Sequence, residues 1–164
     1  MANGPVNISQ IKRQRWNIFV YGKAGAGKSV LGMSSKVMKT FVFDIDDGAV
    51  SGPKFKGTPD GQFQPIRQDL IDVWPIVNPG IPGVDWSASE EFLKAYTWLL
   101  KNITKYIGGL VVFDTATQLQ RILGMEVMNR KKSVLLTQQD WGEVLNRMLF
   151  IFEQMRQLPV NVLV

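Results

Sequence analysis

The chain has 164 residues, a hydrophobic fraction of 45% and a formal net charge of +5, with no cysteine and no histidine. This length suits one compact domain, and the missing residue types exclude disulfides, thiolate metal sites and nucleophilic thiols. No apolar run reaches the roughly 20 residues of a membrane helix, and the first residues lack a secretory signal pattern. We therefore expect a cytoplasmic protein without a membrane partner. The positive charge is consistent with nucleic acid as a partner, and equally with a role in solubility alone.

The first predicted elements are a strand, a loop and a helix. Residues 1–15 are polar and basic, and we expect them to be a loose lead-in to a domain over residues 16–164. The β-branched and aromatic run Trp16–Tyr21 predicts the first strand. After a glycine-rich loop, a helix is predicted from Ser29 to about Met38, because apolar residues recur there at helical spacing. These apolar residues are Val30, Leu31, Met33 and Val37.

The middle of the chain has a different composition. Residues 41–43 predict a second short, buried strand, and an acidic cluster at residues 44–48 follows it. Most of the prolines of the chain lie between residues 48 and 89, together with several glycines. This composition predicts an irregular Pro/Gly-rich insertion with one short helix near residues 69–74.

Regular structure resumes in the second half of the chain. Ser87, three residues before Glu90, predicts the start of a helix. Residues 109–114 predict a continuous apolar strand, and further helices are predicted over about residues 117–128 and from Asp140 to Pro159, before a last strand over residues 160–164. The apolar face of the helix that begins at Ser87 contains Phe92, Tyr96, Leu99, Ile103 and Ile107.

The predicted strands lack internal alternation of polar and apolar residues and are separated by helices. Strands of this kind are buried on both faces, which implies a mainly parallel sheet with helices on each side. The order of strand, glycine-rich loop and helix at the beginning is that of a P-loop α/β domain. We therefore predict the α/β fold class.

Residues 22–29 satisfy the pattern G-x-x-x-x-G-K-[ST] at every specified position. Glycines suit this loop because it must wrap phosphates so closely that Cβ atoms would clash. Backbone N–H groups then point at the anion, the ammonium of Lys28 bridges the β- and γ-phosphates, and the hydroxyl of Ser29 binds Mg²⁺. The motif predicts a site for ATP and Mg²⁺. Its phosphate-binding residues are predicted to be Gly22, Lys23, Ala24, Gly25, Ala26, Gly27, Lys28, Ser29 and Val30.

Two carboxylates are candidates for the rest of the site. Asp114 ends an apolar strand and is predicted to hold Mg²⁺ together with Ser29. Asp46 lies just beyond the second strand, where a carboxylate at the carboxyl edge of a parallel sheet can orient the attacking water. Asp44 and Asp47 are alternatives for that role, and a solvated acidic turn remains a further interpretation.

Four segments together resemble the phage-type RecA-like ATPases, which are short RecA-core proteins linked to single-strand annealing and recombination in bacteriophages. The resemblance runs from about Ile11 to Val164, apart from the Pro/Gly-rich insertion. It implies a RecA-like P-loop NTPase core, host-cell cytoplasm as the location, and a homo-oligomer in the form of a ring or filament. The segments are residues 22–29, Phe43-Asp44-Ile45-Asp46-Asp47-Gly48, Val111-Val112-Phe113-Asp114-Thr115 and Leu136-Thr137-Gln138-Gln139-Asp140-Trp141-Gly142.

The resemblance also implies roles for particular residues. RecA-like proteins place a catalytic glutamate where Asp46 stands here, and the shorter side chain leaves slow hydrolysis possible. They bind single-stranded DNA through a loop that corresponds to residues 129–141, and we predict DNA contacts by Arg130, Lys131, Lys132 and Trp141. The alternative is a solvated charged segment with the tryptophan packed in the core. The family pattern also continues with a polar sensor residue and a second DNA loop, which we expect to lie beyond residue 164.

Three other functions remain open from the sequence. Lys23 in the second place of the loop is similar to the lysine of the ParA/MinD-type dimeric ATPases, although those loops favour Gly-Gly after it and Ala24-Gly25 follows here. A small-molecule kinase would need an arginine-rich lid, and no arginine cluster supports one. A structural role with a nucleotide held in place is the third alternative.

Overall fold

The computed structural model describes most of the chain, and the side chains of all but two short strands within that part. The described residues are 15–23, 26–35, 37–45, 55–57, 63–65, 67–78 and 87–164. The predicted phosphate contacts Ala24 and Gly25, the predicted catalytic Asp46 and its alternative Asp47 lie outside these residues.

Seven strands and four α-helices make up the described fold. They are β1 (Asn17–Ile18), α1 (Lys28–Met33), β2 (Thr40–Asp44), β3 (Phe55–Gly57), β4 (Phe63–Pro65), β5 (Ile71–Pro75), α2 (Ala88–Lys101), β6 (Leu110–Asp114), α3 (Ala116–Lys131), α4 (Gln138–Gln157) and β7 (Asn161–Leu163).

Five of the strands form one sheet in the order β1-β7-β6-β2-β5, and every pairing in it is parallel. The last strand in the chain therefore lies between the strand before the P-loop and the strand that ends in Asp114. β3 and β4 form a separate antiparallel pair. The prediction of a mainly parallel sheet is confirmed.

The strands of the sheet have apolar side chains on both faces, which explains their continuous hydrophobic runs. Phe41, Phe43, Val111 and Phe113 belong to a large buried cluster with residues of α2, α3 and α4. Their neighbours in β2 and β6 belong to a smaller cluster with Met33 of α1 on the opposite face. Helices thus cover both faces, three on one side and one short helix on the other.

Local sequence chemistry explains where the long helices begin. The Ser87 hydroxyl accepts a hydrogen bond from the backbone N–H of Glu90, as the sequence predicts for the start of α2. α4 begins with a reciprocal capping box between Thr137 and Asp140. None of the helices in the described part of the chain is both long and apolar enough to cross a membrane.

Two predicted elements are shorter in the structure. β1 has only two residues of the predicted strand Trp16–Tyr21. The first helix ends at Met33 because serine hydroxyls compete for its backbone groups: Ser34 Oγ donates to the Leu31 carbonyl at 3.0 Å, and Ser35 Oγ accepts from the Met38 N–H at 2.9 Å. The prediction that this helix continues to Met38 is wrong, and Val37 is 86% exposed.

Other predictions are wrong because contacts between distant segments override the local pattern. The predicted helix over residues 69–74 is instead a 3₁₀ turn followed by β5, which pairs along its whole length with β2. The amide of Asn102 donates to the Trp98 carbonyl at 2.9 Å, α2 ends there, and Ile107 is exposed rather than part of its apolar face. Two basic residues of the predicted DNA-binding loop, Arg130 and Lys131, are instead helical, since they form the last turn of α3.

Candidate nucleotide-binding site

A cavity of about 400 Å³ opens at the carboxyl edge of the sheet, between the loop that follows β1 and the end of β6. Ligands of open α/β sheets bind in this position, outside the carboxyl ends of the strands. Gly22, Lys28 and Ser29 line one side of the cavity, and Asp114 and Thr115 line the other. The structure therefore brings the P-loop and the predicted metal-binding carboxylate into one cavity.

The P-loop backbone makes its turn into the helix at Gly27, which has a φ of 83° in the left-handed region. A Cβ at this position would meet nothing within 4 Å, so the backbone conformation, and not space, is what favours glycine here. The Leu31 N–H bonds the Gly27 carbonyl at 2.9 Å as the first turn of α1 forms. The turn thus places the next two residues, Lys28 and Ser29, at the cavity.

The ammonium group of Lys28 is held by the loop itself. It donates to the carbonyl oxygens of Gly22 at 2.9 Å and Lys23 at 3.0 Å. A lysine ammonium has three donors, so these two contacts orient the group and leave one N–H for a phosphate oxygen. The geometry suits the predicted role of Lys28 in binding the phosphates.

Two buried aspartates stand side by side at the carboxyl edge. Asp114 is 6% exposed and Asp44 is fully buried, and the two are register partners at the ends of β6 and β2. The backbone N–H of Ile45 also bonds the Asp114 carbonyl at 2.7 Å, which ties the two strand ends together. Of the two, only Asp114 lines the cavity, where its oxygen atoms suit a divalent cation.

The donor atoms at the cavity fit Mg²⁺. The hydroxyl of Ser29 and the carboxylate of Asp114 are oxygen ligands, which Mg²⁺ prefers. No group of three or more acidic side chains that could hold a metal ion occurs within the described residues. Such a group is not required, because Mg²⁺ in nucleotide sites takes one or two protein ligands, and phosphates and water supply the others.

The cavity also contains residues that the motif does not predict. Phe19 and Tyr21, in the segment between β1 and the P-loop, form an aromatic wall, and Tyr21 is 94% exposed. Leu163 and Val164 contribute to the lining because β7 lies between β1 and β6. Thr117, in the first turn of α3, completes the far side. The alternating aromatic residues before the P-loop were the available sequence signal for the wall.

Two of the three basic residues predicted to contact DNA carry charges that are already balanced by carboxylates. Arg130 donates through Nη2 to both carboxylate oxygens of Glu143 at 2.6 Å, and the Lys131 ammonium bonds the carboxylate of Asp140. The Arg130 guanidinium lowers the pKa of Glu143. Lys131, with help from the backbone and hydroxyl of Thr137, lowers the pKa of Asp140 to about 2.

The other two predicted DNA contacts are placed differently. Lys132 ends α3 with a φ of 51°, and it forms no ion pair with any other described residue. Trp141 lies in the first turn of α4, and 42% of its surface is exposed, so it is not packed in the core. Its ring lines a second cavity, next to α3. Contact of these residues with DNA stays a prediction.

Comparison with known proteins identifies the fold family but no individual relative. A family model described as AAA domain matches residues 14–164, which is nearly the whole chain. No curated protein and no solved structure matches the chain.

Proposed function

The chain belongs to the AAA domain family of P-loop ATPases, and from that premise we propose that it binds Mg-ATP, hydrolyses it slowly, and couples the cycle to single-stranded DNA. The observation that supports nucleotide binding best is the convergence of Lys28, Ser29 and Asp114 on one cavity at the carboxyl edge of the sheet. These three residues come from two separate parts of the sequence. Their meeting in space is what the chemistry of a nucleoside triphosphate requires.

Each of these three residues has one role in the proposal. The loop N–H groups and Lys28 hold the phosphates, and the fixed ammonium neutralises charge on the oxygens of the transferred group. Ser29 binds Mg²⁺ directly, and Asp114 holds it through water. Held by these residues, Mg²⁺ would supply positive charge that stabilises the negative charge of the phosphates.

The attacking water needs a hydrogen-bond acceptor near the γ-phosphate, and we propose Asp46 for this role. Asp44, two residues earlier, is at the carboxyl edge next to Asp114, so the chain that continues from it begins beside the metal-binding carboxylate. Asp44 itself is fully buried and does not line the cavity. This position makes it a weaker candidate for contact with the water.

The DNA part of the proposal is supported by the resemblance to the phage-type RecA-like ATPases and by the net charge of +5. Under this proposal the protein acts in phage recombination or annealing, in the host cytoplasm, as a ring or filament of identical copies. The ParA/MinD-type interpretation depends on Lys23 alone, whose carbonyl oxygen serves the loop by accepting from Lys28.

The test is ATP hydrolysis measured with and without single-stranded DNA, with Lys28→Ala as the blank. We expect Mg²⁺-dependent hydrolysis that rises with DNA and is absent in the blank. Hydrolysis that depends on Lys28 but is indifferent to DNA would support the ATPase and remove the DNA coupling. Turnover that is unchanged in Lys28→Ala would overturn the nucleotide site itself.

A further inference from the structure

A second groove of about 690 Å³ runs along α3, and no predicted role accounts for most of the residues that line it. One wall is α3 itself, and the other is the connection from α3 to α4 together with the first turn of α4. Thr117, Arg121, Met125 and Met128 follow one another at helical spacings of three or four residues, so they form one stripe along the helix. At about 1.5 Å per residue the stripe is about 16 Å long.

The side opposite this stripe is apolar, and its backbone is held in place. Ser133 Oγ donates to the Leu135 carbonyl at 2.6 Å and accepts from the Leu135 N–H, which fixes a tight turn. This turn leaves Val134 91% exposed and Leu135 75% exposed. Leu136 packs against Gly124, where even a Cβ atom would come within 3.1 Å of the leucine methyl. The exposed apolar side chains are therefore presented by a fixed loop and not by a long flexible one.

The described residues that line the groove include a cation but no carboxylate. This cation, Arg121, is exposed and forms no ion pair with any described residue. The neighbouring cations differ, since Arg130 pairs with Glu143 and Arg147 pairs with Glu126. Among the described residues of this region, the unpaired positive charges are thus Arg121 in the groove and Lys132 just beyond the end of α3, whereas Arg130 and Lys131 are paired.

We propose that the groove along α3 is the surface that binds the single strand, with Arg121 as the phosphate contact and Trp141 as the stacking platform. This inference rests on the DNA part of the proposed function. Apolar walls and an exposed ring suit the faces of bases, which stack on aromatic side chains without sequence preference, while a guanidinium pairs with phosphate. A stripe of about 16 Å accommodates four or five stacked nucleotides at about 3.4 Å each.

The groove also adjoins the nucleotide site. Thr117 lines both the groove and the cavity at the P-loop, and it lies three residues after Asp114 in the first turn of α3. A strand bound along α3 contacts the same helix that begins beside the metal-binding carboxylate. This shared helix provides a physical route by which DNA alters the nucleotide cycle.

The test is the affinity of the full chain for a labelled oligothymidylate, measured by fluorescence anisotropy over a range of salt concentrations with ATP present. We expect Trp141→Leu to weaken binding by between about 5-fold and 150-fold, since a stacked base is lost, and Trp141→Phe to retain most of the affinity. Arg121→Gln should flatten the slope of log affinity against log salt by about 0.7. Arg156→Gln is the matched control, because it removes the same charge from the exposed far end of α4.

The outcomes separate this inference from the function on which it rests. One possible result is that the wild type binds the oligonucleotide while Trp141→Leu and Arg121→Gln bind it as tightly and with the same salt dependence. That result would show that the groove does not bind DNA, and the DNA-binding surface would have to lie elsewhere. If Trp141→Phe loses as much affinity as Trp141→Leu at unchanged melting temperature, the stacking argument is wrong. If the wild type does not bind at low salt, the DNA proposal fails and this inference fails with it. In that case, a change of oligomeric state in Leu135→Ser would identify the groove as a protein interface.

Discussion

Replacing Gly109 by alanine would place a Cβ atom 2.3 Å from the backbone carbonyl oxygen of Lys39 and 2.9 Å from that of Tyr106. Real Cβ contacts stay above 3.0 Å, so the backbone would have to move by about 0.7 Å to relieve the shorter one. The Lys39 carbonyl cannot move freely, because it accepts the Leu110 N–H at 2.9 Å at the point where β2 and β6 begin to pair. The Gly109 carbonyl in turn accepts the Asn161 N–H at 2.9 Å, where β7 begins.

The expected loss of stability follows from these contacts. Overpacking against fixed groups costs about 1–3 kcal/mol, and weakening one ladder hydrogen bond adds about 1 kcal/mol. We therefore expect Gly109→Ala to lower the free energy of unfolding by about 2–4 kcal/mol, out of the roughly 5–15 kcal/mol that is usual for a domain. For a chain of this size the melting temperature should fall by roughly 4–16 °C.

Gly142→Ala is the matched control for the same chemical change. Gly142 is exposed within α4, and a Cβ there would meet nothing within 4 Å. Alanine is the better helix former, so this variant should gain about 0.5–1 kcal/mol. Thermal and urea unfolding followed by circular dichroism measure both changes. A loss below about 1 kcal/mol in Gly109→Ala, or a shift of both variants in the same direction, would refute the close approach of the two strand starts.

Three further predictions concern the site and its surroundings. In calorimetric titration with Mg-ATP, Lys28→Met should lose about 10-fold to 150-fold in affinity, which corresponds to one charge-assisted hydrogen bond. The affinity of Lys23→Met should stay within about threefold of the wild type. An equal loss in both variants would favour the ParA/MinD-type interpretation. Asp114→Asn should raise the Mg²⁺ concentration needed for half-maximal hydrolysis by about 10-fold to 100-fold, as for a group that holds the metal through water, and an unaltered requirement would contradict its role. Pairing with Lys131 lowers the pKa of Asp140 to about 2. The ion pair therefore stabilises the fold fully above about pH 4, and this contribution declines as the pH falls towards 2. Acid unfolding of Asp140→Asn should lack this pH dependence, and identical pH profiles for the variant and the wild type would show that the ion pair contributes nothing.

The parts of the fold that could be predicted are those encoded within a few residues. The P-loop pattern, the Ser87 cap and the apolar run that ends in Asp114 each depend on neighbours in the sequence, and each occurs in the structure where the pattern places it. β5 could not be predicted in this way. Ile71 and Val73 pack against the smaller cluster and Trp74 against the larger one. The segment is a strand because β2 pairs with it, and the proline- and glycine-rich composition around it gave no indication of that partner.

The basic segment shows the same limit for a functional site. A run of three cations predicts a surface for an anion, but the structure pairs two of them with Asp140 and Glu143, which come from the next helix. The sequence shows these acids only nine to thirteen residues later, with no indication that the chain folds back on them. Counting charges along the chain therefore overestimates the charge available at this surface, where only Lys132 of the three is without such a pair. A further unpaired cation, Arg121, lies inside a helix where no cluster marks it.

The order of the strands sets the separation between the two sides of the nucleotide cavity. β7 lies between β1 and β6, and neighbouring strands are about 4.8 Å apart, so β1 and β6 lie about 10 Å from each other. The intervening strand separates the P-loop side of the cavity from the Asp114 side, and its Leu163 is part of the lining. That separation depends on β7, Asn161–Leu163, which is distant from the P-loop in the sequence and supplies no phosphate or metal ligand in the proposal. Shortening β7 should therefore impair nucleotide binding even with every P-loop residue intact.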